Sequence, residues 1–350
     1  MNFKSVYVSG LLAVWPVMQG MAQSELIKFG DFDTKIRDDN PVRYVNGSSV
    51  SNSLLADGCV IEGTVENCVL FRGVRVKKGG DTKQLYEIGP DAVWNENKAY
   101  TNQGGSPWAT SNVMAKVCGI TKTNTSVYRE KRGDGYCARL ETHVEKVKVM
   151  GIVNIEVLAA GSVFLGSVPE PITNTSNPMS KLAVGIPFTK RPQAISFDYK
   201  VKLSDEPDRI RQTGFSRVTK VQGKDMPDVV CLLQKRWEDK KGNVYAQRIG
   251  TMIHRFNHNT DWVNGAKFPI KYGDITKQPG FQSYMGLISG DKTQYTRNSK
   301  GKMVPIKEVG WADAGETPTH IVLQFDSSYG GAYVGSVGTT LWLDNVHVIY

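Results

Sequence analysis

The chain has 350 residues, a net charge of +9, 35 glycines and 5 cysteines. Its length suits one large domain or two smaller ones, and its many glycines with few amphipathic helical windows favour an all-β fold. Lysine and arginine are scattered rather than collected in long runs, which argues against nucleic acid as a partner. An acidic polysaccharide remains a candidate polyanion.

The start of the chain has the features of a secretory signal peptide. Lys4 provides a positive charge, residues 5–17 are mostly apolar, and Ala22 is a small residue suited to cleavage after it. The apolar run is too short, and too interrupted by Pro16, to favour a membrane span. We therefore expect residues 1–22 to be removed and the protein to be secreted, periplasmic or at the cell surface.

The next segment, residues 23–79, begins with a predicted short strand and turn over 23–35. Between residues 41 and 79, small and β-branched residues recur at intervals of about five to six with glycines between them, as in the hexapeptide coils of parallel β-helices. The run NSLLADGCVIEGTVENCVLFRGVRV resembles the left-handed β-helix of bacterial glucose-1-phosphate adenylyltransferases. No glycine-rich nucleotide-binding start accompanies it. We therefore expect a β-helix-like or irregular segment without adenylyltransferase activity.

Residues 80–350 carry the pattern of an all-β domain. In AISFDYKVKL the alternation places Phe197 on the buried face and Asp198 on the opposite one. The run DVVCLLQKRW predicts a central strand that contributes Cys231 and Trp237 to the core. Short strands separated by glycine and proline turns indicate a jelly-roll-like β-sandwich.

The end of the chain predicts two strands, and the second changes phase at Asp344 and Asn345. Such a change is typical of a β-bulge, which redirects polar side chains. In many jelly-roll sugar-binding modules an aspartate of the last strand helps to hold a structural Ca²⁺, so Asp344 is a candidate calcium ligand. The alternative is that Asp344 caps backbone N–H groups at the bulge. No other cofactor is expected.

Several stretches of residues 80–350 together resemble one family. They are KAYTNQGGSP, GDGYCARLETH, VLAAGSVFLGSV, GIPFTKRPQAISFDYKVKL and SSYGGAYVGSVGTTLWLDNVHVIY, with a trace in FGDFDTK near the start. They are similar to the carbohydrate metabolism domain of exported Bacteroidetes proteins. The resemblance implies a β-sandwich linked to glycan use, and it implies no defined catalytic mechanism. Lys35 stands where that family often has a tryptophan.

Aromatic residues among turn-forming residues are the candidate glycan-binding side chains. Sugar rings have apolar faces that stack on aromatic rings, while neighbouring carboxylates and amides bind the hydroxyls. The candidates are Trp94, Trp108, Trp262, Trp311 and Tyr284, with Asp261 beside Trp262. The alternative is that these rings pack under loops or fill the ends of the sandwich.

Other reactive residue types give weaker signals. His254 and His258 precede Asp261 at a spacing that binds metals on helices, but a strand and loop here favour surface histidines. Cys118 and Cys137 could form a disulfide. Carboxylates that could form a hydrolytic pair are placed by position only: Asp198, Glu238, Asp239, Glu170, Glu141 and Glu156.

Three functions remain open from these observations. The first is a glycan-binding β-sandwich, the second is a glycoside hydrolase that uses two carboxylates, and the third is a structural or adhesion subunit of the cell surface. A cleft with paired carboxylates favours the second, and an open aromatic surface favours the first.

Overall fold

A computed structural model describes most of the chain after residue 106. The described residues are 23–28, 30–32, 107–117, 120–149, 153–168, 172–173, 177–214 and 217–350, with the backbone of short strands between 43 and 102. The predicted signal peptide lies outside them. No helix in this described part has both the length and the apolar character needed to cross a bilayer.

The front sheet has six strands, and its two longest pairings join distant parts of the sequence. Its strands are β1 (Ser24–Leu26), β3 (Val127–Arg132), β4 (Gly135–Glu141), β6 (Ala194–Lys202), β9 (Thr260–Pro269) and β12 (Thr340–Ile349). The order is β3-β4-β12-β6-β9, and β1 also pairs with β12. All these pairings are antiparallel.

The back sheet is larger and curls around a second apolar core. Its main strands are β2 (Trp108–Thr110), β5 (Ser162–Ser167), β7 (Asp228–Glu238), β8 (Val244–Arg255), β10 (Met303–Trp311) and β11 (His320–Asp326). Short strands at Ala183–Val184 and Tyr295–Arg297 connect β5 to β10, while β5 also pairs with β11. The strands thereby close a ring around Phe164, Leu232, Ile306 and Val322.

The remaining elements are short. The other strands are Arg43–Tyr44, Val60–Glu62, Val65–Glu66, Cys68–Val69, Val74–Lys78, Asp81–Leu85, Ala92–Trp94, Thr101–Asn102, Met114–Val117, Ile120–Thr123, His143–Val149, Val153–Ala159, Ile186–Pro187, Arg209–Arg211, Thr219–Val221, Lys271–Tyr272 and Val334–Gly335. Three 3₁₀ helices lie at Pro178–Lys181, Ser283–Met285 and Gly290–Lys292. Val60–Glu62 pairs in parallel with Val74–Lys78, as successive coils of a β-helix do. The hexapeptide side chains lie outside the described residues.

The main core lies between the front and back sheets, and the predicted all-β sandwich is confirmed. Phe197 is fully buried in it, stacked on Phe268 with ring centroids 4.6 Å apart and edge-on to Phe325 at 5.0 Å. The inward direction predicted for Phe197 is correct. Aromatic pairs in these two geometries add stabilisation beyond the area they bury.

Residues 24–28 and 30–32 belong to this sandwich, although the sequence pattern grouped them with the N-terminal segment. The strand predicted near residue 24 pairs with the end of the chain, Ser24 opposite Ile349. Phe32 is buried against Trp108 with ring centroids 5.7 Å apart, and the Trp108 Nε1 donates to the Lys28 carbonyl at 2.9 Å. Trp108 is 4% exposed. Trp108 therefore holds the first strand against the core, and its ring is too deeply buried to stack on a sugar as predicted.

Two more expectations are corrected by burial. Trp237 is 44% exposed, because β7 extends beyond the core that buries Cys231. Asp198 faces away from Phe197 as predicted, but it is only 7% exposed because other side chains cover it. Cys137 is a free, buried thiol, and Cys118, with which it could pair, lies outside the described residues. Burial raises the pKa of Cys137 to about 12, which leaves it unreactive near neutral pH.

Candidate functional site on the outer face of the front sheet

The bulge predicted at Asp344 and Asn345 is present and organises the outer face of the front sheet. Between the β6–β12 pairs Asp198↔Asp344 and Ser196↔His347, β12 has one residue more than β6. Asn345 takes a left-handed backbone conformation with φ of 51°, which asparagine tolerates better than most residues. The extra residue lets Leu343 and Val346 both reach the core. Asp344 keeps its side chain on the outer face.

Strand β9 contributes two further bulges beside this one. Its register against β6 shifts between Phe197 and Tyr199 and again between Tyr199 and Val201, each time with an extra residue on β9. The sequence NTDWVNG, predicted as a loop, is therefore a bulged strand. Bulges re-aim side chains, and these two bring Trp262 and Asn264 towards β12.

Five side chains meet on this face, and we call them the Arg132 cluster: Arg132, Asp198, Asn264, Asp344 and Asn345. Arg132 Nη1 donates to Asp198 Oδ2 at 2.8 Å and to Asp344 Oδ2 at 2.5 Å, and its Nη2 donates to Asn264 Oδ1 at 2.6 Å. Asn345 Nδ2 donates to Asp198 Oδ2 at 2.8 Å. Charged hydrogen bonds of this kind are about twice as strong as neutral ones.

The position of Arg132 follows from the hairpin between β3 and β4. Arg132 is the last residue of β3, and Gly133 in the turn has φ of 55°. The turn contains GDG, the beginning of one of the family-like stretches, while Asp198 and Asp344 lie in two others. Two such stretches therefore meet at the Arg132 guanidinium, and a third begins at the next residue of the chain.

The two carboxylates of the cluster have pKa values displaced in opposite directions. Burial is the largest influence on Asp344 and raises its pKa to about 6. The negative charge of Asp198 acts in the same direction, whereas Arg132 lowers the pKa through its hydrogen bond and its positive charge. Burial acts on Asp198 in the same sense, but hydrogen bonds from Asn345, the Gly265 N–H and Arg132 prevail and lower its pKa. At neutral pH Asp198 is firmly ionised, whereas Asp344 takes up a proton in mildly acidic solution.

The surroundings of Asp344 do not fit the predicted Ca²⁺. The Arg132 guanidinium already lies against its carboxylate, and the Asn345 N–H donates to its Oδ1 at 2.8 Å. No group of three or more His, Cys, Asp or Glu side chains in the described part of the chain could hold a metal ion. The capping alternative describes Asp344 better.

A cleft of about 240 Å³ adjoins the Arg132 cluster, and we call it the front cleft. It is lined by Ser24, Ser196, Asp198, Gly265, Lys267, Asn345, His347 and Ile349. Ser24 Oγ and His347 Nδ1 lie 2.9 Å apart at one side, so β1 closes that wall. Hydroxyl, imidazole, ammonium, amide and carboxylate groups thus converge on one concave space, as they do in binding sites for small polar ligands.

Trp262 is linked to the front cleft through Arg132. The guanidinium carbon lies 3.8 Å from the centroid of the half-buried Trp262 ring, while the same group binds Asp198 in the cleft wall. Such a cation–π contact holds both partners in place. One ring face of Trp262 is thereby covered, so only the other is available for stacking.

The other predicted site residues lie elsewhere. Asp261 is exposed on β9. Trp311 ends β10 on the back sheet, 5.5 Å from the Arg248 guanidinium, and Tyr284 lies against the Arg255 guanidinium at 3.9 Å. Trp94 ends a short strand, and its side chain is outside the described residues. The exposed ring of His254 packs against Phe256 and Phe268.

Sequence reasoning placed Trp262 and Asp344 in different roles and missed Arg132. One signal was available: an aspartate on the outer face of a central strand, such as Asp198, needs a cation or several N–H donors if it is covered. Which basic residue provides that charge depends on strand order, because Arg132 lies 66 residues away in sequence.

Short stretches of the chain match parts of two longer proteins. It is 56% identical over 50 residues to the glycogen biosynthesis protein GlgD of Bacillus subtilis, and 37% identical over 76 residues to glucose-1-phosphate adenylyltransferase of Clostridium botulinum. These matches span 15% and 20% of the relatives' own lengths. The predicted local resemblance is confirmed.

Two solved structures share similarity with a larger part of the chain. Both are described as a "putative glycoside hydrolase", one from Bacteroides thetaiotaomicron (19% identity, TM-score 0.41) and one from Bacteroides vulgatus (16% identity, TM-score 0.44). Each comparison covers 82% of this chain, with 71% and 98% of the respective partner.

The family model described as "Putative carbohydrate metabolism domain" matches residues 82–349, from the start of the predicted sandwich domain almost to the end of the chain. The five residues of the Arg132 cluster all lie within this match. The protein therefore belongs to this carbohydrate metabolism domain family.

Proposed function

We propose that this protein is an exported glycan-binding β-sandwich whose front cleft holds a sugar unit. The membership of the carbohydrate metabolism domain family supports a glycan as the class of ligand. The observation that carries the proposal is the front cleft itself, where Asp198, Lys267 and Asn345 present hydrogen-bonding groups of three kinds. Sugar hydroxyls both donate and accept, so they require such mixed partners.

The Arg132 cluster supports the proposal by fixing the cleft wall in advance. Asp198 Oδ1 accepts from the Gly265 N–H at 2.6 Å, and its Oδ2 accepts from both Arg132 and Asn345. A side chain held on both oxygens loses little freedom when a ligand binds, and this saving of entropy favours affinity. The cluster therefore preorganises the site.

Lys267→Ala is the variant that tests this function. Lys267 is exposed and lines the cleft, so we expect the change to weaken binding roughly tenfold, equivalent to about 1.4 kcal/mol, without lowering the melting temperature. A glycan array with the mature protein selects the ligand, and isothermal titration calorimetry compares the variants. Lys202→Ala is the matched control, because Lys202 is an exposed lysine of the same sheet outside the cleft. Equal affinities for Lys267→Ala and wild type would contradict the proposal.

Glycoside hydrolysis is the second candidate function. Asp198 and Asp344 contact the same guanidinium nitrogen, and their pKa values are displaced in opposite directions, as in acid and base pairs of enzymes. Release of reducing ends from the glycan selected on the array measures this activity. Asp344→Asn should abolish it if Asp344 is the acid, whereas binding without any release by the wild-type protein favours the binding function alone.

A further inference from the structure

The most exposed tryptophan of the described chain lies far from the front cleft, beside a second ring. Trp237 on β7 is directly opposite Tyr245 on β8, and the two rings stack with centroids 5.8 Å apart and planes inclined by 19°. Trp237 is 44% exposed. A solvent-facing pair of nearly parallel rings forms a flat apolar surface, the kind on which the apolar face of a sugar stacks.

The alternation of β7 explains why these rings face solvent. Side chains at every second position share one face, so Cys231, Leu233, Lys235 and Trp237 all lie on the same side of β7. Cys231 and Leu233 are fully buried in the core between the sheets, whereas Lys235 and Trp237 extend past it. The strand therefore continues beyond the core, and there the side chains on this face are not covered by the opposite sheet.

Lys307 of β10 completes the row as the register neighbour of Tyr245, and its Nζ lies 5.5 Å from the Tyr245 ring centroid. Among the described residues Lys307 has no carboxylate within ion-pair distance, while Lys235 is bound to Glu316 at 2.8 Å. A positive charge thus stands uncompensated beside the two rings. Val309, two residues further along β10, is 54% exposed.

Tyr245 is also tethered to the hairpin that follows β7. Asp239 at the hairpin after β7 accepts from the Lys241 and Asn243 N–H groups, each at 2.9 Å, and its Oδ2 accepts from the Tyr245 hydroxyl at 3.4 Å. The ring of Tyr245 is therefore fixed relative to the hairpin. Fixed aromatic rings suit the stacking of sugar faces, because little conformational freedom is lost on binding.

We propose that Trp237, Tyr245 and Lys307, the Trp237 platform, bind an acidic polysaccharide whose uronate carboxylate pairs with Lys307. The rings contact the apolar faces of successive sugars, and the ammonium selects chains with a carboxylate over neutral ones. The net charge of +9 favours the approach of such a polyanion. The proposal adds a second site to the molecule and is independent of the front cleft.

Binding of polygalacturonate, compared with a neutral β-glucan, tests the platform. We expect Trp237→Ala to weaken polygalacturonate binding at least tenfold in affinity electrophoresis, and Lys307→Gln to remove the preference for the acidic chain and reduce the salt dependence of binding. Trp237→Phe should retain most of the affinity, since a ring remains. Val218→Ala, at a valine that is 50% exposed elsewhere, is the control and should bind like wild type.

The outcomes separate this site from the front cleft. Loss of polygalacturonate binding in Lys267→Ala but not in Trp237→Ala would overturn the platform while supporting the cleft. Failure of the wild-type protein to bind polygalacturonate would also overturn it. If Trp237→Ala instead changes the molar mass measured by light scattering, the face joins two copies of the chain, and the glycan assignment is wrong.

Discussion

Among the single residues, the decisive one is Asp198, a charged side chain that is buried on the outer face of the front sheet. Asp198 alternates correctly away from Phe197, yet its side chain is as well covered as many core residues. Its charge is tolerated because Arg132, Asn345 and the Gly265 N–H all donate to it. Alternation predicts the direction of a side chain, but it says nothing about what lies above that face.

Replacement of Asp198 should therefore destabilise the protein, contrary to the expectation for an exposed carboxylate. Asp198→Ala removes the acceptor of the Asn345 side-chain amide and of the Gly265 N–H, and one of the acceptors of Arg132. We expect a loss of about 1.5–3 kcal/mol in the free energy of unfolding. Asp261→Ala is the matched control, because Asp261 is exposed on β9, and we expect it to change stability by less than about 0.5 kcal/mol. Urea denaturation of both variants measures the difference, and equal losses would mean that the Arg132 cluster does not stabilise the fold.

At the scale of strands, the sequence predicted alternation and the position of the bulge in β12 correctly. The phase change at Asp344 was visible because apolar residues moved from one parity to the other within a single strand. The bulges of β9 were not visible, since NTDWVNG contains turn-forming residues that suit a loop equally well. Whether this segment forms a loop or a bulged strand depends on its pairing with β6. The sequence of the segment alone does not determine that pairing.

The segment between residues 36 and 79 is a separate case at this scale. In the described backbone, its short strands pair with one another or with strands at 81–102, and none pairs with the front or back sheet. We therefore expect deletion of residues 36–79 to leave a folded sandwich with a cooperative thermal transition. Circular dichroism and calorimetry would measure it, and an aggregated product without a transition would show that the segment is integral. Deletion of residues 23–32 should be harmful by comparison, since Phe32 and β1 are part of the main core and front sheet.

At the scale of the whole molecule, a buried pair of carboxylates should couple stability to pH. Asp228 and Asp326 lie directly opposite each other on β7 and β11, with Asp225, Lys292 and Arg255 near Asp228. Burial first, and then the charge of Asp326, raises the pKa of Asp228 from 3.8 to about 8. Burial likewise raises the pKa of Asp326 to about 6.

The folded protein consequently retains a proton on Asp228 at pH values where the unfolded chain has released it. Asp228 by itself should make stability fall as the pH rises from about 4 to about 8, because this group binds more protons in the folded state throughout that interval. His320, whose pKa burial lowers from 6.5 to about 4, acts in the opposite direction, but only below pH 6.5. Between pH 6.5 and 8 the melting temperature should therefore decrease, and Asp228→Asn should flatten this decrease. A melting temperature that rises over this interval in the wild-type protein would contradict the assignment.

The sandwich, the inward position of Phe197 and the bulge at Asp344 were thus predictable from local patterns. The Arg132 cluster and the front cleft were not, because they combine residues from β3, β6, β9 and β12, which become neighbours only through the strand order. For the same reason Trp108, which was expected on the surface, is buried, and Trp237, which was expected in the core, is exposed. Whether a ring is covered depends on where the opposing sheet ends.

A crystal structure with the glycan selected on the array would show where the ligand binds. If the front cleft binds glycans, one sugar unit should lie within hydrogen-bond distance of Asp198, Lys267 and Asn345, with the Arg132 cluster unchanged. A glycan bound elsewhere, with the front cleft free of sugar at saturating concentration, would contradict glycan binding in the front cleft.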